Sequence, residues 1–353
     1  MIGMMKLRVT AEANARSARN KNICHEIEAS CFAFPVRNNG GVIMEGLDHR
    51  DVTRRVNLAD PQHVCAEVCD LLCNADRTVD RELVERAFEV FSQLYTGALP
   101  GYHGCETLYH DMHHVLDVTL ACARMLAGHE RTNINGTRFG GARLTLGIIV
   151  ALFHDAGYIR RRQDRIRWHG AQYTLRHVGR GARFLSHFLG QEGRVEWARR
   201  AVKLIHFTGY EIPIDQIRLD DPLDLQLGYL IGTADLIAQM SDRVYLEKCR
   251  DYLYEEFELG GLTRKLNPDG SVNVLYDSSY DLLSKTPAFY SKMVRKRLDE
   301  DFGEAYRNIE VLFDGRNPYL EGVARNMNYL QQVLNDGSLS DCLRRKAEPI
   351  RGT

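Results

Sequence analysis

The sequence predicts an all-α protein with a polar site enclosed between its helices. Apolar residues recur at helical spacing from about residue 60 almost to the end, while turn-and-strand chemistry is concentrated before it. Ten of the thirteen histidines fall between His103 and His206, which marks where chemistry is to be sought. The 353 residues, 44% of them hydrophobic, are enough for a sizeable core. With 46 Lys+Arg against 47 Asp+Glu, the charge balance argues against a dedicated nucleic-acid or membrane-surface binder.

Residues 1–55 read as an arm or small irregular segment, in which "CFAFPVRNNGGVIM" has the turn chemistry of a hairpin. From there the helices follow in order. Cys65, Val68, Cys69, Leu72 and Cys73 share one face, as do Leu83, Ala87, Phe91 and Leu94. "LTLGIIVALF" is the longest apolar run, ten residues, too short to cross a bilayer and suited to a buried helix. Val195, Ala198, Val202 and Ile205 form another stripe. Residues 260–280 read as a long loop. Leu298, Phe302, Ala305, Ile309 and Leu312 predict a helix closed by Gly315. Asn317 and Pro318 then open the last one, with Val323, Met327, Leu330 and Leu334 on its inner face. Nine cysteines without a framework spacing, and a start lacking an apolar leader, predict reduced thiols and a cytoplasmic protein.

Three segments carry the chemistry. "YHDMHHVLDV" (109–118) would place His110 and His114 on one helix face, with Asp117 one turn below His114 and His113 roughly 100° away. "ALFHDAGY" (151–158) ends an apolar helix in His154 and Asp155, an imidazole and a carboxylate suited to a divalent ion. "LIGTADLIAQMSD" (230–242) sets Asp235 inside an apolar helix, where an unpaired carboxylate is costly.

The order H…HD…D, each member in or at the end of an apolar helix, resembles the HD-domain superfamily of metal-dependent phosphohydrolases. Tyr109, His110, His114, Asp117 and Val118 are similar in spacing to the first motif of its cyclic-nucleotide phosphodiesterase branch. The resemblance covers roughly residues 100–260 and implies a multi-helix catalytic domain, here 56–260, with a loop and C-terminal helices (261–353) packed on it. It implies that His114, His154, Asp155 and Asp235 hold one or two divalent ions (Mn, Mg, Fe or Zn). His110 would be the general acid, His177 and His206 would serve a second metal or the substrate phosphate, and Asp117 would orient an imidazole. The implied reaction is hydrolysis of a phosphodiester such as a cyclic nucleotide by a metal-activated hydroxide.

The sequence departs from the branch at Asp111, Gly157 and Tyr158. Two alternatives follow: a phosphomonoesterase or polyphosphohydrolase of the superfamily, or a catalytically silent metal-binding regulatory domain. The partner in either hydrolytic reading is a small phosphate ester, with no membrane or nucleic acid. Arg160, Arg161, Arg162, Arg165 and Arg167 crowd the stretch after the HD pair, a run suited to a phosphate anion or to a solvated face. His113, His129, His169 and His187 read as structural, and the Cys65–Cys73 stripe reads as core rather than zinc site.

Overall fold

A computed structural model describes residues 49–343 apart from 134–135, 268 and 338. The hairpin expected within residues 1–48 lies outside the described residues. Among those described, every regular element is helical except one short hairpin, so the all-α expectation holds.

Helix starts follow side-chain chemistry. Asp60 caps α1 (Pro61–Ala75), Asp80 caps α2 (Arg81–Thr96), and Asp111 caps α3 (Met112–Thr132). In each case a carboxylate accepts backbone N–H groups that have no partner inside the helix. α4 (Gly140–Phe153) ends where His154 begins the metal motif. α5 (His177–Gln191) and α6 (Val195–Leu204) form a pair beside it. α7 (Pro222–Ser241) starts with Asp221 as cap and Pro222 at the first position, where a missing N–H costs nothing.

α3 is the central helix of the described residues. It packs on α1, α4, α7 and the 3₁₀ segment Ala305–Leu312, and its residues from His113 to Glu130 are all buried. A helix buried all round must satisfy its polar groups internally. Arg124 does so by donating to Asp51 Oδ2 (2.8 Å) and to the Tyr319 hydroxyl (2.7 Å). Asp51 also accepts from the backbone N–H groups of Thr53, Arg55 and Val56, so this pair ties the first described turn to α3. Gly128 allows the closest approach: a Cβ there would lie 1.8 Å from the Asn308 carbonyl oxygen.

Beyond α7 the chain turns through α8 (Tyr245–Lys248) and α9 (Tyr254–Leu259), joined by a wider turn at Cys249–Leu253. The stretch expected to be a long loop instead contains a hairpin, β1 (Arg264–Leu266) with β2 (Val272–Val274), antiparallel with Leu266 opposite Val272. Both strands are exposed on both faces, so no apolar alternation advertises them. α10 (Ser279–Phe289) follows. The stripe from Leu298 to Leu312 is not one helix. Gly303 and Glu304 adopt positive φ (56° and 57°) and break it into Arg297–Asp301 and Ala305–Leu312. Leu298, Phe302, Ala305 and Ile309 stay buried across the break, which is why the periodicity survives without a continuous helix. Gly315 (φ 83°) follows this segment, and α11 (Pro318–Asn335) begins with Asn317 accepting from Leu320 N, as the sequence predicts. α11 packs on α7, and α12 (Leu339–Cys342) packs on α11.

Candidate metal centre

Three helices meet where the motifs converge. His114 lies in the first turn of α3, His154 and Asp155 follow the last turn of α4, and Asp235 sits inside α7. One ligand atom each from His114, His154 and Asp155 lie within 4.8 Å of one another, all buried. His114 Nε2 is 3.4 Å from Asp155 Oδ2, and His154 Nε2 is 3.2 Å from the same oxygen. Asp235 Oδ1 stands 3.6 Å from His114 Nε2 and 3.8 Å from His154 Nε2. The structure therefore brings together all four residues expected to bind metal.

The tautomer of His154 is fixed by its neighbour. Nδ1 lies 2.7 Å from the Ala151 carbonyl oxygen, which can only accept, so Nδ1 carries the proton and Nε2 faces the cluster. Yet His154 Nε2 and Asp155 Oδ2 are both buried without a hydrogen-bond partner. An unpaired buried polar atom costs about 1–3 kcal/mol, and two of them aimed at each other are what a cation site requires. With no cation, burial opposes charge on His154, but Asp155 and then Asp235 outweigh it and raise its pKa to about 9. The donor set of two imidazoles and carboxylates fits a borderline divalent ion. The cluster thus suits a metal ion.

A second layer holds the first. Gln239, one turn after Asp235, donates to Asp235 Oδ1 (3.2 Å) and accepts from the Tyr109 hydroxyl (3.1 Å). Asp111 Oδ1 accepts from the backbone N–H of His114 (2.9 Å), so the residue that departs from the expected motif is the cap that sets His114 in place.

His110 reaches the site by a different route from the one its spacing suggests. It precedes the cap, outside α3, so it shares no helix face with His114. Its ring is placed by Glu256 on α9, whose Oε2 accepts from Nδ1 at 2.6 Å, while Oε1 accepts from Tyr109 N at 2.6 Å. Its centroid is still 5.7 Å from that of His114. Burial lowers the basicity of His110, but Glu256, with Asp155 and Asp235 beyond, raises its pKa above the ordinary value. Tyr158 stacks on His110 on one side and on His177 on the other, with ring centroids 4.5 Å apart in each case. Gly157 makes this possible: a Cβ there would lie 1.8 Å from the His177 carbonyl oxygen. Glu256 and Gln239 escaped the sequence reading. Glu256 lies more than a hundred residues from its partner, and only the i, i+4 relation of Gln239 to Asp235 gave a local signal.

The remaining expectations divide. His177 Nε2 is 3.6 Å from Asp155 Oδ1, and its Nδ1 donates to Thr174 O, so it borders the cluster. His206 pairs through Nδ1 with Glu211 Oε1 at 2.6 Å. Asp117 orients no imidazole. Its Oδ1 has no partner, and burial followed by Asp242 and Asp51 raises its pKa well above the ordinary carboxyl value. It lines a small cavity with His113, His114, Asp242 and Lys248. His113, expected to be structural, is buried, and burial and Lys248, 3.4 Å away, lower its pKa to about 3. Arg160 is committed to Glu106, 2.8 and 2.6 Å away, whereas Arg162, Arg165 and Arg167 are exposed.

Comparison with known families gives one similarity. Residues 168–317 match a model of the Npun_R2479-like family. The match takes in His177, Asp235 and Glu256 but stops short of His110, His114, His154 and Asp155, and it covers less than half of the chain. No curated protein matches the chain. Among the described residues no helix is long and apolar enough to cross a membrane.

Proposed function

We propose that this protein is a cytoplasmic metal-dependent phosphohydrolase of the HD type, acting on a phosphodiester such as a cyclic nucleotide. The observation that carries the reading is the pair of unpartnered buried atoms, His154 Nε2 and Asp155 Oδ2, beside a histidine made basic by its own carboxylate. His114, His154, Asp155 and Asp235 would hold a divalent ion, which would supply Lewis acidity toward water and the phosphoryl oxygens. Asp155 Oδ1 and His177 Nε2, 3.6 Å apart, are the donors available to a second ion.

His110 holds the proton that the departing oxygen needs. Nδ1–H is committed to Glu256, so Nε2 is the atom that delivers it. Burial opposes the charged ring, but Glu256 outweighs it and favours the protonated imidazole, raising its pKa above the ordinary value. Tyr158 fixes the plane of the imidazole by stacking, and Glu256 fixes its rotation, which removes orientational freedom from the transfer.

Metal-loaded protein is to be assayed against bis(p-nitrophenyl) phosphate and p-nitrophenyl phosphate, then against cyclic nucleotides. Faster cleavage of the diester is expected. Preference for the monoester would move the assignment to a nucleotide phosphomonoesterase. Absence of turnover on all of them with metal bound would overturn the enzymatic reading in favour of a regulatory domain.

A further inference from the structure

Behind the metal-binding turn lies a cationic cavity that the proposed reaction does not use. Residues 160–183 contain eight arginines and one carboxylate, Asp164, in a chain whose net charge is −1. A cavity of about 110 Å³ opens among Tyr102, Arg161, Gln163, Asp164, Arg180 and Arg183. That is well above the ~10–15 Å³ needed for a single water.

The charges in this cavity do not cancel. Asp164 Oδ2 accepts from Arg180 Nη2 (2.9 Å) and from the backbone N–H of Arg161 (3.0 Å). Arg180 also donates to the carbonyl oxygens of Gly157 (2.8 Å) and Ile159 (3.0 Å), and its guanidinium lies 3.6 Å from the Tyr173 ring centroid. It is therefore fixed in place. Arg161, 5.9 Å from the Tyr102 ring centroid, and the exposed Arg183 carry no carboxylate partner among the described residues. Three guanidinium groups thus face one neutralised carboxylate, and guanidinium forks match the oxygens of phosphate.

We infer that this cavity binds a phosphate-bearing anion at a site separate from the His–Asp cluster. None of the candidate metal ligands lines it. Ala156 and Ile159, which do, belong to the turn that follows Asp155, and Arg180 grips that turn at Gly157. The inference does not rest on the proposed catalysis, because it needs neither metal nor turnover.

The test uses full-length protein stripped with EDTA, so that no metal recruits phosphate to the cluster. Inorganic phosphate, pyrophosphate and ADP are titrated by calorimetry, with Trp168 fluorescence as a second readout, since that ring is 64% exposed beside the arginine run. Saturable binding is expected for at least one probe. It should weaken about tenfold or more in Arg161→Ala/Arg183→Ala, persist in His154→Ala, and fall with salt. Arg183→Ala alone, at an exposed position, gives the same direction if the double variant folds poorly. Equal affinity for all three probes assigns a site for a bare phosphoryl group. Tighter binding of ADP assigns a nucleotide whose remainder extends along Tyr102. No saturable binding at millimolar concentration, or unchanged binding in the arginine variants, overturns the inference.

Discussion

Burial alone makes an imidazole less basic, yet His110 is pushed the other way, because the Glu256 carboxylate lies 2.6 Å from Nδ1. Two outcomes follow for the proposed reaction. His110→Ala is expected to lower kcat by about 10²–10⁴-fold while metal content stays at the wild-type level. Glu256→Gln removes the charge that raises the His110 pKa, so a general acid loses its proton at lower pH. The alkaline limb of the kcat–pH profile should therefore move toward acid; an unmoved limb would contradict the pairing. Metal affinity gives a second contrast. His154→Ala should abolish stoichiometric uptake, whereas Gln239→Ala, which releases Asp235 and the Tyr109 hydroxyl, should weaken it by about 10–100-fold in a chelator competition. The sequence made the candidate ligands readable because each is a charged or imidazole side chain in or at the end of an apolar run, where such residues are expensive. It misplaced Asp117 because helical spacing says which residues share a face but not what that face meets. It also put His110 on α3, where the cap at Asp111 in fact excludes it.

A close backbone approach at Gly157 helps to place the elements around the site. Gly157 lets the turn after α4 meet the start of α5, and so places the His110, Tyr158 and His177 rings in one stack. Gly157→Ala should destabilise the fold by ~1–3 kcal/mol or more and reduce activity even where the protein remains folded, read as a lower Tm and a lower kcat. α1, α2 and α11, each with one buried face, were readable from their apolar stripes. The break at Gly303–Glu304 was not, because the residues on either side keep their buried spacing. The β1–β2 hairpin was not readable either, since a ribbon exposed on both faces carries no alternation.

The described residues fall within one compact unit beginning at His49, with the ion pair of Asp51 and Arg124 buried in it. Burial raises the Asp51 pKa, but Arg124 and the hydrogen bonds of the turn outweigh it and hold the carboxyl below its ordinary value. A depressed carboxyl pKa contributes stability that is present above the unfolded value of about 4 and is lost as pH falls through the lower folded value. Asp51→Ala is expected to cost ~3–5 kcal/mol near neutral pH, because it leaves Arg124 buried without its counter-charge. The difference in Tm between this variant and the wild type should narrow in acid. A difference independent of pH would show that the pair is not what stabilises this corner. The His–Asp cluster ties α3, α4 and α7 together in the same way, so metal removal should also lower Tm, more in the wild type than in His154→Ala. The most direct measurement is the metal content of the purified chain and of His154→Ala by mass spectrometry. One or two divalent ions per wild-type chain, absent from the variant, are predicted. A metal-free wild type, or equal metal in both, would contradict the metal centre on which the account rests.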